Sequence, residues 1–452
     1  MYSLNVNTSQ YNNYSTAIPV RATSLASNNN VSNPIKASNI SQTPFTSALP
    51  VSQVRTELAS NDEKNKYNQL LNVVDKNTKK QLNYLLKSGI LLNSSSNDKS
   101  TTLDNLFKIA TTERAQGLSN VVILKDTIAT LSDPHIITQQ FGNIPKQYKS
   151  QVNALAQGKD ANVEHSGTCV ASSVEFNLAQ KHPAEFARFA EGLSSPAMAV
   201  NKTIKLNNLA DNTLDAVWLL NAFEIPFEAN NFNEAKLTFA PDKNAIVRAH
   251  IQTVDRDKLE RSSVDVLMQS TFMQVGSQQS YDSLTDMRAG KFNQNPKGLI
   301  EFEKTFTESV VEDKNKISVT YQKVDENAKL VGYETDFNTM KKQITDALNL
   351  GDNVIIGYTQ VDNTNTIING HEITITAVKT DKNGKMIFVC NDTDDDVSKP
   401  VEYSEDYLLP KIHHAALPQA VVGDEINVTE NWVEGLKTYK ELKKQSQYKN
   451  VA

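Results

Sequence analysis

Residues 165–179, "HSGTCVASSVEFNLA", place Cys169, one of only two cysteines in the chain, directly after Gly167-Thr168. Apolar side chains then recur at helical spacing, at Val170, Val174 and Leu178. A cysteine is nucleophilic as a thiolate, and the backbone N–H groups of a helix N-terminus favour that anion. The stretch therefore indicates either a nucleophile at a helix N-terminus or a small apolar residue in a core.

The composition is that of an ordinary globular protein. The chain has 452 residues, enough for two or three structural units, with 39% hydrophobic and 22% charged residues. A formal net charge of -6 offers no basic surface, so we expect no nucleic-acid partner. Two cysteines cannot build a disulfide framework, and we expect both thiols to be free.

The N-terminal 56 residues differ from the rest of the chain. They contain no Asp or Glu and many Ser, Asn and Thr residues, a composition that predicts disorder over 1–56. This segment lacks the charged n-region and apolar h-region of a Sec signal peptide, and no run of 18 apolar residues predicts a transmembrane segment. We therefore expect a cytoplasmic protein, or one exported by a non-Sec route.

The periodicity of the apolar residues predicts an α+β fold. Leucines at near-helical spacing predict a mostly helical extension over 57–160, which would act as a pro-segment or a docking region. The C-terminal half changes to strand-like runs at 353–360, 371–378 and 385–391, joined by turns such as "DKNG". Helices attached to an antiparallel sheet are the expected arrangement. A final amphipathic helix is predicted within 421–452.

The predicted sheet offers His371 as a candidate base for Cys169. His371 opens a strand in which His371, Ile373 and Ile375 share one face. Asn391 and Asp392 end the next strand, and pairing across the "DKNG" turn returns that end to the histidine. Because these two residues point to opposite faces, the parity of the strand decides which one orients His371.

The chain has a cysteine at a helix start, then a histidine in a strand, then an Asn or Asp at the end of the next strand. In this order it resembles the papain-like cysteine peptidase superfamily, particularly its bacterial branches related to bacteriocin-leader peptidases. The motifs that carry the resemblance are "GTCVASS", "ITDALNLGDNVIIGY", "NGHEITITAV" and "FVCNDTD". The resemblance implies a papain-like catalytic domain over 161–420. It also implies thiol-dependent hydrolysis of a peptide or isopeptide bond in a protein or peptide substrate, without a cofactor. Cys169 would be the nucleophile, His371 the general base and acid, and Asp392 or Asn391 the orienting residue.

Two departures from the family pattern shape these expectations. Cys169 and His371 lie 202 positions apart, against roughly 130 to 150 in papain-type enzymes, which predicts an insertion at about 205–330. The family places a glutamine for the oxyanion hole six residues before the cysteine, where this chain has Val163. Asn162 is chemically the best substitute donor, beside the backbone N–H of Cys169.

Two other functions fit the same residues. A transglutaminase-like acyltransferase or deamidase uses the same Cys-His-Asp triad but attacks glutamine and passes the acyl group to an amine or to water. A catalytically inactive papain-like protein would instead use its helical region, 57–160, as a binding surface. The second cysteine, Cys390, lies inside the apolar run "MIFVC" and is expected in the core.

The sequence predicts no metal site. "HEITI" begins like a zincin motif but has Ile375 at the position of the second histidine. His413 and His414 have no cysteine nearby and are expected to decorate a loop or cap a helix. The run from Asp394 to Asp396 lacks the spaced ligands of an EF-hand.

Overall fold

The computed structural model describes residues 54–161, 166–229, 231–254, 256, 260–292, 297–325, 327–394 and 399–422. The predicted disordered segment and the predicted C-terminal helix lie almost entirely outside these ranges. Asn162 and Val163 also lie outside the described residues.

Helices predominate in the described residues up to Glu312, and two more follow in the C-terminal half. They are α1 (Asn61–Val73), α2 (Lys76–Lys87), α3 (Thr102–Thr111), α4 (Asn120–Ser132), α5 (Lys146–Leu155), α6 (Cys169–Lys181), α7 (Pro183–Leu193), α8 (Thr213–Ala222), α9 (Ala245–Val254), α10 (Ser263–Gly276), α11 (Glu301–Glu312), α12 (Phe337–Asn349) and α13 (Glu405–Leu408). The helical stretch that begins near residue 57 divides at Asp75, whose carboxylate accepts the amide N–H groups that start α2.

The strands are β1 (Val200–Lys205), β2 (Phe227–Ala229), β3 (Glu234–Phe239), β4 (Lys316–Thr320), β5 (Gln322–Val324), β6 (Leu330–Tyr333), β7 (Val354–Val361), β8 (Ile367–Thr380), β9 (Met386–Asn391), β10 (Val401–Ser404) and β11 (Ile412–Pro418). The main sheet has the order β10-β9-β8-β7-β11-β4, and every neighbouring pair is antiparallel. The predicted α+β class with an antiparallel sheet is confirmed.

The main sheet carries helices on both faces because its strands are apolar on both sides. Ile356 of β7 belongs to a core that α12 covers, while the preceding Ile355 belongs to the larger core. On that second face α6 packs against β7 and β8, and α11 packs against β4 and β11. This packing brings the start of α6 close to His371. His371 is the fifth residue of β8 and does not open the strand as predicted, because the pairing with β7 begins at Ile367.

The predicted insertion at about 205–330 contains α8 to α11 and most of the small sheet β1-β3-β2. Its helix α10 packs against α6, and its strand β4 forms one edge of the main sheet. These residues therefore contribute directly to the core around α6. Within the described ranges, no helix combines the length and the apolar character needed to cross a bilayer.

Candidate active site

The helix α6 begins at Cys169, which is partly buried. Thr168 precedes it with φ -93 and ψ 23, and no side chain caps the helix N-terminus with a hydrogen bond. The amide groups of the first turn therefore stay available as donors for an anion next to Cys169. This local structure fits a thiolate or an oxyanion better than an ordinary capped helix end does.

A buried aspartate holds the loop that leads into α6. The carboxylate of Asp286 accepts hydrogen bonds from Ser166 Oγ and Gly167 N, both at 2.7 Å, and from the hydroxyl of Tyr281 at 2.8 Å. Asp286 has a φ of 53, a left-handed conformation that aspartate tolerates better than most residues. The loop conformation before Cys169 is thereby fixed from a part of the chain 119 positions away.

A buried arginine completes this support. The guanidinium of Arg261 donates to the hydroxyl groups of Ser166 and Thr168, and its Nε donates to the carbonyl of Gln139 at 2.9 Å. Thr168 in turn donates to Gln269 Oε1 at 2.9 Å. These supporting residues could not be identified from the sequence, because their contacts join distant positions and carry no local periodicity.

His371 and Asp392 form a close pair. His371 Nε2 lies 2.7 Å from Asp392 Oδ1, and the two side chains are only 12% and 10% exposed. The same carboxylate oxygen accepts the backbone N–H of Asp394 at 3.0 Å. Asp392 engages Nε2 of His371, and the sulfur of Cys169 is close enough to the imidazole to raise its pKa. The thiol, the imidazole and the carboxylate thus lie together at one site.

The charges around His371 keep its imidazole protonated. Burial alone would lower the pKa of His371, but the carboxylate of Asp392 and the sulfur of Cys169 raise it well above its usual value. Burial would raise the pKa of Asp392, yet His371 and the Asp394 amide bring it below its usual value. Together these shifts describe an imidazolium beside a carboxylate, with a sulfur atom on its other side.

A tyrosine limits the motion of the imidazole. Tyr358 pairs with His371 across β7 and β8, and its ring meets the imidazole edge to face at 5.7 Å and 75°. Burial raises the pKa of Tyr358 to about 12, so the phenol stays neutral. The contact restricts the ring without adding a charge to the site.

The structure brings Asp392, and not Asn391, to His371. Asn391 Oδ1 instead lies 2.8 Å from Nδ1 of His135. The choice depends on a register shift, since Ala377 pairs with Val389 but Ile375 pairs with Cys390.

The extra residue in this shift is Thr376, a β-bulge in β8. Without it Ile375 would face Asn391, and Asn391 would share the face of His371. The second thiol, Cys390, is fully buried, as the sequence predicts, and burial raises its pKa.

Gln139 connects the two loops of the site. Its backbone N–H donates to Thr393 O at 3.0 Å, and its side-chain amide donates to Ser166 O at 3.1 Å. The hydroxyl of Thr393 lies 2.7 Å from that of Ser172 in α6. The loop before Cys169 and the loop that carries Asp392 are therefore held together by a residue from the predicted helical extension.

No family model matches this chain, and neither does any curated protein or solved structure. The geometry of Cys169, His371 and Asp392 is therefore the observation on which a functional proposal depends.

Proposed function

We propose that the chain is a thiol-dependent hydrolase of the papain-like type that cleaves peptide or isopeptide bonds through Cys169, His371 and Asp392. The observation that carries the proposal is the hydrogen-bonded pair of His371 and the buried carboxylate of Asp392, with the sulfur of Cys169 close to the imidazole. A base within reach of the nucleophile, oriented by a third group, is the general arrangement of covalent acyl transfer.

The proposed reaction follows from the protonation states at the site. The thiolate of Cys169 attacks the substrate carbonyl, and the carbonyl oxygen becomes an oxyanion that the backbone N–H of Cys169 can bind. His371 gives its proton to the leaving amine, and a thioester with Cys169 remains. The neutral imidazole then takes a proton from water, which attacks the thioester. The carboxylic acid is released, and the sulfur leaves as a thiolate beside the imidazolium, which restores the starting state.

Asp392 acts as a positioning residue in this scheme. Its bond to Nε2 directs Nδ1 toward the sulfur, and its charge stabilises the imidazolium. The site needs no metal or organic cofactor for these steps.

The transglutaminase-like alternative is favoured by one specific observation, namely that a carboxylate and not an amide orients His371. Such an enzyme would form the same thioester from a glutamine side chain and release ammonia, and would then transfer the acyl group to an amine or to water. Incubation with glutamine peptides and a primary amine, followed by mass spectrometry, separates the two activities. A new amide product indicates transfer, whereas shortened peptides indicate hydrolysis of the main chain.

The proposal is tested first by the reactivity of the thiol. The purified protein is treated with iodoacetamide between about pH 4 and about pH 9, and the label is located by peptide mapping. We expect Cys169 to react at a pH well below the ordinary thiol pKa of about 8.5, and His371→Ala to abolish this acidic reactivity.

One variant and one buried thiol serve as controls in the same experiment. Cys169→Ser removes the reactive position, and the buried Cys390 should be labelled only after unfolding. If native Cys169 reacts no faster than Cys390, the hydrolase proposal fails, and the inactive papain-like alternative becomes the better description.

A further inference from the structure

A β-bulge in β11 turns two consecutive histidines toward each other. In the pairing of β11 with β7, Ile412 faces Tyr358 and His414 faces Gly357, so His413 is the extra residue. Consecutive side chains of a regular strand point to opposite faces, but a bulge removes this alternation. The Nδ1 atoms of His413 and His414 lie 2.9 Å apart. Both residues lie within β11, so the prediction that they decorate a loop or cap a helix is wrong.

A glycine and a glutamate fix the orientation of His414. A Cβ atom on Gly357 would lie 2.3 Å from Cε1 of His414 and 2.7 Å from Oε1 of Glu372, so only glycine leaves room for this pair. His414 Nε2 lies 2.9 Å from Glu372 Oε1, and the other carboxylate oxygen lies 3.3 Å from Lys304 Nζ.

This hydrogen bond determines which nitrogen of His414 is free. The carboxylate of Glu372 accepts a hydrogen bond from Nε2–H, so the lone pair of a neutral His414 is on Nδ1 and points at His413. A carboxylate that holds the remote nitrogen of a histidine is the usual way in which proteins orient a metal-binding imidazole. The two Nδ1 atoms, 2.9 Å apart, are close enough to bind one cation between them.

Glu301, the first residue of α11, supplies an oxygen ligand from a second element. The ligand atoms of Glu301, His413 and His414 all lie within 4.8 Å of one another. The carboxylate is held by Ser318 Oγ at 2.6 Å and by Thr320 Oγ1 at 2.8 Å. Its orientation toward the histidines is therefore set by strand β4, next to β11 in the sheet.

We propose that Glu301, His413 and His414 bind a divalent transition-metal ion of the zinc class. Imidazole and carboxylate groups are ordinary ligands of Zn²⁺, and three protein ligands leave a fourth position for water. At Zn–N distances of about 2.0–2.1 Å, tetrahedral geometry separates two nitrogens by about 3.3 Å, so the histidine rings move apart by a few tenths of an ångström. This site is separate from Cys169, His371 and Asp392 and does not depend on the proposed reaction.

The test measures metal affinity in the full-length chain. The protein carries Cys169→Ser throughout, because the catalytic thiol and imidazole would also attract zinc. Zn²⁺ affinity is measured by competition with a chromogenic chelator, and Co²⁺ absorption reports coordination directly. We expect the parent protein to bind one equivalent of metal tightly. In His413→Asn and in Glu301→Gln the affinity for Zn²⁺ should fall by at least about 100-fold.

Two further variants complete the design. Glu372→Gln leaves the ligands in place and should lower affinity about 10- to 100-fold, as loss of an outer carboxylate does. His250→Asn, which changes a histidine bonded to Gly117 O elsewhere in the fold, should bind like the parent protein.

The proposal is overturned if the parent binds no tight equivalent, or if His413→Asn and Glu301→Gln bind as the parent does. Circular dichroism accompanies each variant, and if one of the two is unfolded the other decides. The outcome is independent of the proposed hydrolase activity, since every protein in the series lacks the nucleophile.

Discussion

Replacing Asp392 by alanine removes the carboxylate that keeps His371 protonated. The bond is 2.7 Å long and both side chains are nearly buried, so solvent screens it little. A hydrogen bond to a charged group contributes about 1.5–3 kcal/mol, and about 1.4 kcal/mol corresponds to a factor of ten. We therefore expect the rate constant for alkylation of Cys169 at about pH 6 to fall about 10- to 150-fold.

The assay is iodoacetamide labelling followed over time, with the rate measured at about pH 6 and at about pH 9. At the higher pH an accessible thiol ionises without help, so Asp392→Ala should approach the parent rate there. Asp392→Asn keeps a neutral acceptor for Nε2, and its loss at about pH 6 should be smaller, about 5- to 10-fold.

Asn391→Ala is the matched control, since it alters the residue directly before Asp392, at the end of β9, but leaves the bond between His371 and Asp392. We expect its rate at about pH 6 to stay within about threefold of the parent. Equal losses in Asn391→Ala and Asp392→Ala would show that loop structure, and not the carboxylate, controls the thiol. An unchanged rate in Asp392→Ala would refute the electrostatic role of Asp392 altogether.

Two predictions concern stability. Asp286→Ala leaves Ser166, Gly167 and Tyr281 without their acceptor. In urea titrations the free energy of unfolding should fall by about 3 kcal/mol. A change below about 0.5 kcal/mol would show that Asp286 does not stabilise the loop before Cys169. Burial raises the pKa of Asp126 from 3.8 to about 6. Because the folded protein holds this proton more tightly than the unfolded chain, the free energy of unfolding falls as pH rises through that interval. Asp126→Asn should therefore be more stable than the parent by about 2 kcal/mol at about pH 8, with the difference vanishing near pH 4, and a pH-independent difference would contradict the shift.

Local periodicity was sufficient to predict the elements that carry the candidate catalytic residues. The 3.6-residue pattern after Cys169 and the two-residue alternation after His371 each depend on neighbouring side chains, which the sequence displays directly. The choice between Asn391 and Asp392 could not be made in the same way. It depends on the bulge at Thr376, and nothing in the sequence around Thr376 distinguishes a bulge from a regular strand.

The same limitation hid the arrangement of His413 and His414. Their bulge, the glycine opposite them and Glu301 come from β11, β7 and α11, so no segment of sequence contains the whole cluster. In the sequence, His413 and His414 are only two adjacent polar residues. The fold brings the carboxylates of Glu301 and Glu372 next to them. Sequence patterns of metal sites detect ligands at fixed spacing, and this cluster has its third ligand 112 positions before His413.

The structure also bears on whether 57–160 is a removable pro-segment or a lasting part of the protein. Leu106 and Ile128 from α3 and α4 lie in one continuous core with Phe176 of α6, and the ring of His135 packs against Phe176 at 5.1 Å. Gln139 bonds both loops around the thiol. Cleavage near residue 160 with loss of the N-terminal part would expose this core and remove the support of the nucleophile loop. These contacts favour an integral or docking role for 57–160, since removal of the segment would damage the site that a pro-segment is meant to release.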